Sequence, residues 1–170
     1  MKYYLIMKTP VGELTLFASD TGVASLLWEN FDTKKIIKRY NSEMVEHDIL
    51  LQAKSELKKY FAGNLKNFKI PLDLEGTPFQ LKVWQELKKI PYGKTMSYKE
   101  LATKVGNPNA SRAVGGANGK NPVGVIIPCH RVIGASGKLT GFAGGVVVKS
   151  KLLKIEKKYI TLSNDSRESE

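Results

Sequence analysis

The sequence predicts an α/β (α+β) protein in two parts. A small amino-terminal β-sheet/helix domain occupies residues 1–75, and a mostly helical carboxy-terminal domain occupies residues 76–160. Three observations predict this. The first third holds short apolar and β-branched runs separated by turn residues, the pattern of strands. The second half holds two helix-opening signals of the capping-box kind. The charge balance also changes abruptly, from +1 over residues 1–75 to +12 over residues 76–160.

The strand candidates are "KYYLIMKT", "GELTLFAS" and "GVASLLWE". Pro10-Val11-Gly12 and Asp20-Thr21-Gly22 supply the turn chemistry between them. "TKKIIKRY" is a short helix candidate. "HDILLQAKSELKKYFAG" is a longer one, with Leu50, Leu57, Tyr60 and Phe61 near one face and Gly63 as its stop. "NFKIPLDLEG" is extended, is broken by Pro71, and serves as the hinge into the basic half. No internal repeat is present.

In the second half, Thr77-Pro78-Phe79-Gln80 opens the helix "PFQLKVWQELKKI", which Pro91-Tyr92-Gly93 ends. Ser97-Tyr98-Lys99-Glu100 opens "YKELATKV", closing at Gly106. Asn107-Pro108 offers a cap and a proline for a third helix, "PNASRAVGGANG". Two short helices joined through a glycine-containing turn form a helix-turn-helix pattern. After Asn121-Pro122, "VGVIIP" reads as a strand leading into a turn at Cys129, and "GGVVVKSKLLKIEKKY" is a final helix. The polar tail "TLSNDSRESE", residues 161–170, is expected to be disordered.

Composition excludes several classes. No run approaches the roughly 18 apolar residues of a spanning helix. The amino terminus has no cleavage-site pattern of a signal peptide. A single cysteine cannot form an internal disulfide, so the chain is expected to be cytoplasmic. With only His47 and His130 besides, there is no ligand set for structural zinc. The excess positive charge of the second half has two readings: a solvated lysine-rich surface, or a face for a polyanion such as nucleic acid.

The chemistry centres on "IIPCHRVIG", residues 126–134, where Cys129 adjoins His130. A buried small hydrophobe and a nucleophile compete as readings of Cys129. An ordinary thiol, with a pKa near 8.5, is only slightly ionised at neutral pH and needs a base. Adjacent residues in extended backbone face opposite ways, so contact with His130 requires a turn or a bridging water. The imidazole in turn needs an orienting acid. Residues 76–160 contain three acids, Glu86, Glu100 and Glu156. Glu100 serves its capping box and Glu86 an amphipathic helix, which leaves Glu156. Set among Lys151, Lys154, Lys157 and Lys158, Glu156 also reads as a surface ion-pair residue.

The third helix carries Ala110, Ala113, Gly115, Gly116, Ala117 and Gly119, a nearly bald surface with a cost in helix propensity. Close packing against another helix explains it, and so does close approach to a DNA backbone or groove. Arg112 is its one long basic side chain before Lys120. The residues alone therefore lead to an activated thiol beside a helix pair suited to DNA, and to no reaction class.

"PCHRVIG" at 128–134, with "SRAVGGANGKNP" before it and "GFAGG" after it, resembles the O6-alkylguanine-DNA alkyltransferase family over about residues 76–158. The resemblance implies DNA repair by irreversible, single-turnover transfer of an alkyl group from guanine O6 to the protein's own cysteine. It implies Cys129 as acceptor, His130 acting through a water, and Glu156 holding His130. It further implies that Tyr98 donates to guanine N3 and that Arg112 fills the stack left by a flipped nucleotide. Asn121 would tie the recognition helix to the active-site segment. Ser97, Ala110, Ser111, Ala113 and Gly115 would make further DNA contacts. The carbonyls of Cys129 and Val132, with Phe142 and Ala143, would line the base pocket. The implied partner is double-stranded DNA containing O6-alkylguanine, bound by a monomer with no obligatory protein partner, membrane, metal or cofactor. The pocket loop Gly141-Phe142-Ala143 departs from members with tyrosine and serine there. A non-catalytic module that recognises alkylated guanine and a small cysteine hydrolase are the competing readings.

Overall fold

The structure, a computed structural model, describes residues 1–168. Strands β1 (Tyr3–Thr9), β2 (Gly12–Ala18) and β3 (Val23–Trp28) form an antiparallel meander. The short β4 (Glu43–Met44) adds in parallel to β1, giving the order β3-β2-β1-β4. Helix α1 (Thr33–Tyr40) bridges β3 and β4. Its Asp32 side chain accepts from the Lys35 amide, and Asn41 ends it in the left-handed region. β2 is the central strand, and Leu14 to Ala18 are all buried, so both of its faces are covered. Helix α2 (Asp48–Phe61) packs along the sheet through Leu50, Ala53, Leu57, Tyr60 and Phe61.

The extended 70–73 segment then joins the edge of β3, where the Val23 amide donates to Pro71 O and the Asp73 amide to Val23 O. Helix α3 (Pro78–Leu87) starts at Thr77 with both halves of a capping box formed. The Trp84 indole N–H on α3 donates to Ala117 O on α5 (Ser111–Gly119) at 2.8 Å, fixing that helix pair. Ser97 and Glu100 form the second capping box, at the start of α4 (Tyr98–Lys104). α4 and α5 pack together as a helix-turn-helix. Short strands β5 (Met96–Ser97) and β6 (Val132–Ile133) pair in parallel, and α6 (Val146–Glu168) closes the fold.

Three sequence expectations are corrected. The run 123–128 is not a strand. It coils, with Val125 at φ 71° and the Ile127 amide donating to Val123 O. Gly124 sits so close to the Trp28 ring that a Cβ would lie 2.9 Å from it. The run is uniformly apolar because it is enclosed, not because it pairs. The third helix begins at Ser111, because the Asn107 side chain accepts from the Asn109 amide and holds a turn there. Residues 161–168 of the tail are helical. Nothing from Val146 onward is glycine or proline, so α6 continues past the end of its buried face. Residues 169–170 of the expected disordered tail lie outside the described residues.

Candidate active site

Cys129 opens a 3-10 turn, Cys129–Arg131, in which the Cys129 amide donates to Ile127 O and the Arg131 amide to Pro128 O. The turn removes the difficulty of neighbours facing opposite ways. All three side chains are buried. His130 is 0% exposed, and its Nε2 lies 2.8 Å from Glu156 Oε1 on α6. A carboxylate facing Nε2 selects the tautomer with the proton on that nitrogen. The buried Nδ1 has no hydrogen-bond partner among the described residues, so its lone pair is free to accept a proton.

Glu156 is no surface residue. At 1% exposure it sits under a ring of donors. Arg131 reaches it through Nε (3.0 Å to Oε2) and Nη2 (2.8 Å to Oε1), the Tyr60 hydroxyl donates to Oε1 at 2.8 Å, and the Gly93 amide donates to Oε2 at 3.1 Å. Burial alone would raise the Glu156 carboxyl. The hydrogen bonds from His130 and Arg131 and the charge of the arginine outweigh it and hold the group well below the usual carboxylate range. Burial is also the main influence on its neighbours. It lowers His130, against the pull of Glu156, and pushes the Cys129 thiol up to about 11. The Asn121 side chain and the Lys149 charge oppose that rise. The resting pair is thus a thiol beside a neutral imidazole.

The surrounding groups order the pocket. The Asn121 amide donates to Ile127 O at 2.8 Å and its Oδ1 accepts from the Val123 amide, tying the end of α5 to the segment before Cys129. The Tyr98 hydroxyl donates to Thr140 O at 3.1 Å. Lys149, 0% exposed on α6, donates to both Val132 O and Thr140 O, with its ammonium 5.9 Å from the Tyr98 ring centre. Burial lowers its pKa. Cys129 O accepts from Asn118 at 3.4 Å. Both carbonyls of the expected base pocket are therefore already engaged, Cys129 O twice over because the Val132 amide donates to it as well. Phe142 leans on Trp28, ring centres 5.3 Å apart, and Ala143 O accepts from Asn30 at 3.4 Å.

Cys129, His130, Glu156, Asn121, Tyr98 and Val132 thus gather beside the first half of α6, with the 140–143 loop near them. Arg112 and Ala113 stand exposed on the first turn of α5, with Ser97, Ala110, Ser111 and Gly115 half-buried around the helix pair. Gly115 faces Tyr98, whose ring carbons would lie 3.7 Å from an added Cβ. Sequence reasoning missed Arg131, Lys149, Tyr60 and Asn118. The adjacency of Arg131 to His130 was the one available signal.

The family model for the 6-O-methylguanine DNA methyltransferase DNA-binding domain matches residues 78–158, and the model for that family's ribonuclease-like domain matches residues 2–74. A methylated-DNA–protein-cysteine methyltransferase of Methanosarcina acetivorans is 48% identical over 91% of this chain and 97% of its own length. The chain belongs to the 6-O-methylguanine DNA methyltransferase family. The constitutive methyltransferase of that name from Bacillus subtilis is 44% identical, over 92% of this chain and 96% of its own. The crystal structure of Mycobacterium tuberculosis OGT in complex with DNA superposes with a TM-score of 0.83 at 43% identity, covering 92% of this chain and 94% of that one. The mixed fold, with its sheet first and its helices second, is that of the methyltransferase family. No helix among the described residues is long and apolar enough to cross a membrane.

Proposed function

We propose that this chain repairs DNA by moving an alkyl group, methyl in the simplest case, from guanine O6 to Cys129 Sγ. The observation that carries the reading is the buried relay in which His130 Nε2 is committed to Glu156 while Nδ1, on the residue next to Cys129 in the chain, is left without a hydrogen-bond partner among the described residues. Nδ1 takes the thiol proton across one water. The thiolate attacks the alkyl carbon, the S–C bond forms as the C–O6 bond breaks, and the electron pair of that bond leaves with the guanine. Tyr98, turning its hydroxyl from Thr140 O, protonates N3, and the imidazolium proton restores the phenol through solvent. The products are guanine and a thioether. No metal or cofactor has a step to perform, and nothing in the chain can regenerate the thiol, so each molecule acts once.

In the same reading, residues 76–160 bind double-stranded DNA as a monomer and residues 1–75 support them. A base inside a duplex is out of reach of a thiolate, so the nucleotide is flipped out at a cost of a few kcal/mol. Arg112, exposed at the start of α5, fills the gap it leaves. Ser97, Ala110, Ser111, Ala113 and Gly115 let the helix pair approach the DNA closely. The guanine amino group takes a place on Val132 O and displaces the long Asn118 contact on Cys129 O, and Phe142 and Ala143 wall the pocket.

The test is a duplex carrying O6-methylguanine labelled in its methyl group. One equivalent of label per chain, located by mass spectrometry on the Cys129 peptide, is expected. Cys129→Ala should bind the duplex and take no label. Binding without transfer by the wild type would point to a recognition module, and several equivalents per chain would overturn the single-turnover mechanism.

A further inference from the structure

We propose that Tyr60 is a positioning residue of the alkyl-transfer site, holding the Glu156 carboxylate from α2 so that His130 keeps its proton on Nε2 and presents Nδ1 to Cys129. The proposal rests on the reading of function above. It gives the sheet-bearing part of the chain a direct part in the chemistry.

The geometry is specific. Tyr60 is 0% exposed, lies 96 residues from Glu156 in the chain, and places its hydroxyl 2.8 Å from Oε1, the same oxygen that faces His130 Nε2. The hydroxyl is not free to wander. Its ring meets Phe61 and Tyr92 edge-on, at 5.2 and 5.8 Å between centres, and leans on Phe68 at 5.5 Å. Phenylalanine would fill this apolar position without a buried polar atom to satisfy, so packing alone does not account for the oxygen. Burial and the adjacent carboxylate push the Tyr60 phenol far above its ordinary pKa, so it acts as a donor only.

The chemical consequence follows from the sharing of Oε1. Electron density that the carboxylate gives to Tyr60 is withheld from His130. With the hydroxyl removed, Glu156 stabilises imidazolium more strongly and the histidine becomes a stronger base. Facing the His130–Glu156 pair are Tyr60 from α2, Tyr92 and the Gly93 amide from the loop after α3, Cys129 and Arg131 from the turn, and Lys149 from α6. Among these, Tyr60 and the Gly93 amide donate to the carboxylate as neutral groups, and of the two it is Tyr60 that shares, with Arg131, the oxygen facing the imidazole.

The experiment uses the full chain in three forms: wild type, Tyr60→Phe, and a protein with 3-fluorotyrosine at position 60 alone. Tyr92→Phe is the control, because the Tyr92 hydroxyl is buried near the same arginine without a hydrogen-bond partner among the described residues. Single-turnover rates on O6-methylguanine duplex are measured against pH, and the His130 Nε2–H resonance is recorded in 15N-histidine protein without DNA. Tyr60→Phe should move the acid limb of the rate profile up by about half a unit and shift the resonance. Fluorotyrosine, a stronger donor of nearly the same shape, should move both the opposite way and keeps the question answerable if Tyr60→Phe folds poorly. Tyr92→Phe should move neither. Profiles and resonances that superimpose on wild type in both Tyr60 forms would overturn the proposal, whatever happens to the rates. If the wild type itself transfers no methyl, the functional reading fails, while the resonance still reports whether Tyr60 governs His130.

Discussion

Arg112 and Arg131 are the two arginines of residues 76–160, and the fold puts them to opposite uses. Arg112 stands in solvent on the first turn of a helix that has almost no other long side chain. Arg131 is 5% exposed and spends its donors on Glu156 and on Ile90 O at 2.7 Å. The first can change partners at little cost because water solvates it. The second is locked, because an unpaired charge in its position would be strongly penalised. The lysines repeat the contrast within α6, where Lys149 is buried against two carbonyls while Lys151, Lys154, Lys157 and Lys158 are exposed. A basic chain thus divides its cations into those that build the site and those that face outward. Sequence position does not separate them.

The division has its largest consequence for stability. Arg131→Met leaves the Glu156 carboxylate buried with fewer donors and should cost about 3–5 kcal/mol in denaturant unfolding at neutral pH. Arg112→Met should change stability by less than about 0.5 kcal/mol. The sign of the pH dependence sharpens the comparison. The folded Glu156 titrates below its unfolded value, so its contribution is present above the unfolded pKa and is lost as pH falls through the folded one. The gap between Arg131→Met and wild type should therefore narrow in acid. A gap independent of pH would assign the loss to packing.

What could be read in the sequence follows the same line. The capping boxes at Thr77 and Ser97 were legible because each is complete within four residues and needs no distant partner. The helix-turn-helix followed from the Ser97 box, the Gly106 turn and the Asn107-Pro108 pair that introduces the third helix. The run 123–128 misled because burial on all sides and sheet pairing leave the same apolar pattern, and the Trp28 ring that closes over Gly124 comes from another part of the chain. Residues 161–168 mislead because a polar composition fits both a disordered tail and an exposed helix, and the helix before them has no stop signal. Glu156 was reached by elimination and by family resemblance, yet its surroundings could not be. Arg131, Lys149 and Tyr60 converge from the turn, α6 and α2, and a lysine or tyrosine code letter does not say that its polar atom is enclosed.

On activity, the exposed arginine should matter more than its neutrality to stability suggests, and only on one substrate. If Arg112 fills the space of an extruded nucleotide, its value exists only where there is a stack to fill. Arg112→Ala should react with free O6-methylguanine base at nearly the wild-type rate. On the same lesion in a duplex it should be slower by one to two orders of magnitude, about 1.4–2.7 kcal/mol of a flipping cost of a few kcal/mol. Equal losses on both substrates would mean that the change disturbs α5 and, through Asn121, the segment before Cys129.

The smallest expected effect tests the outward cations as a group. Neutralising phosphates releases counterions, so binding to undamaged duplex should weaken with salt at a log–log slope of a few units, roughly 0.9 per phosphate contacted. Of the fifteen lysines and arginines in residues 76–160, Arg131 and Lys149 are committed inside the protein and should contribute nothing to that slope. Arg112 occupies an intermediate place. As a wedge in the base stack it is exposed yet touches no phosphate, so Arg112→Ala should leave the slope within a few tenths of wild type. As an ordinary phosphate contact it would take about 0.9 from the slope. Titrations of the wild type and this variant at several salt concentrations decide between the two. A flat response in the wild type would show that the outward charge of residues 76–160 is solvated surface, and would leave the function of the cations to the inward pair and to Arg112 as a wedge.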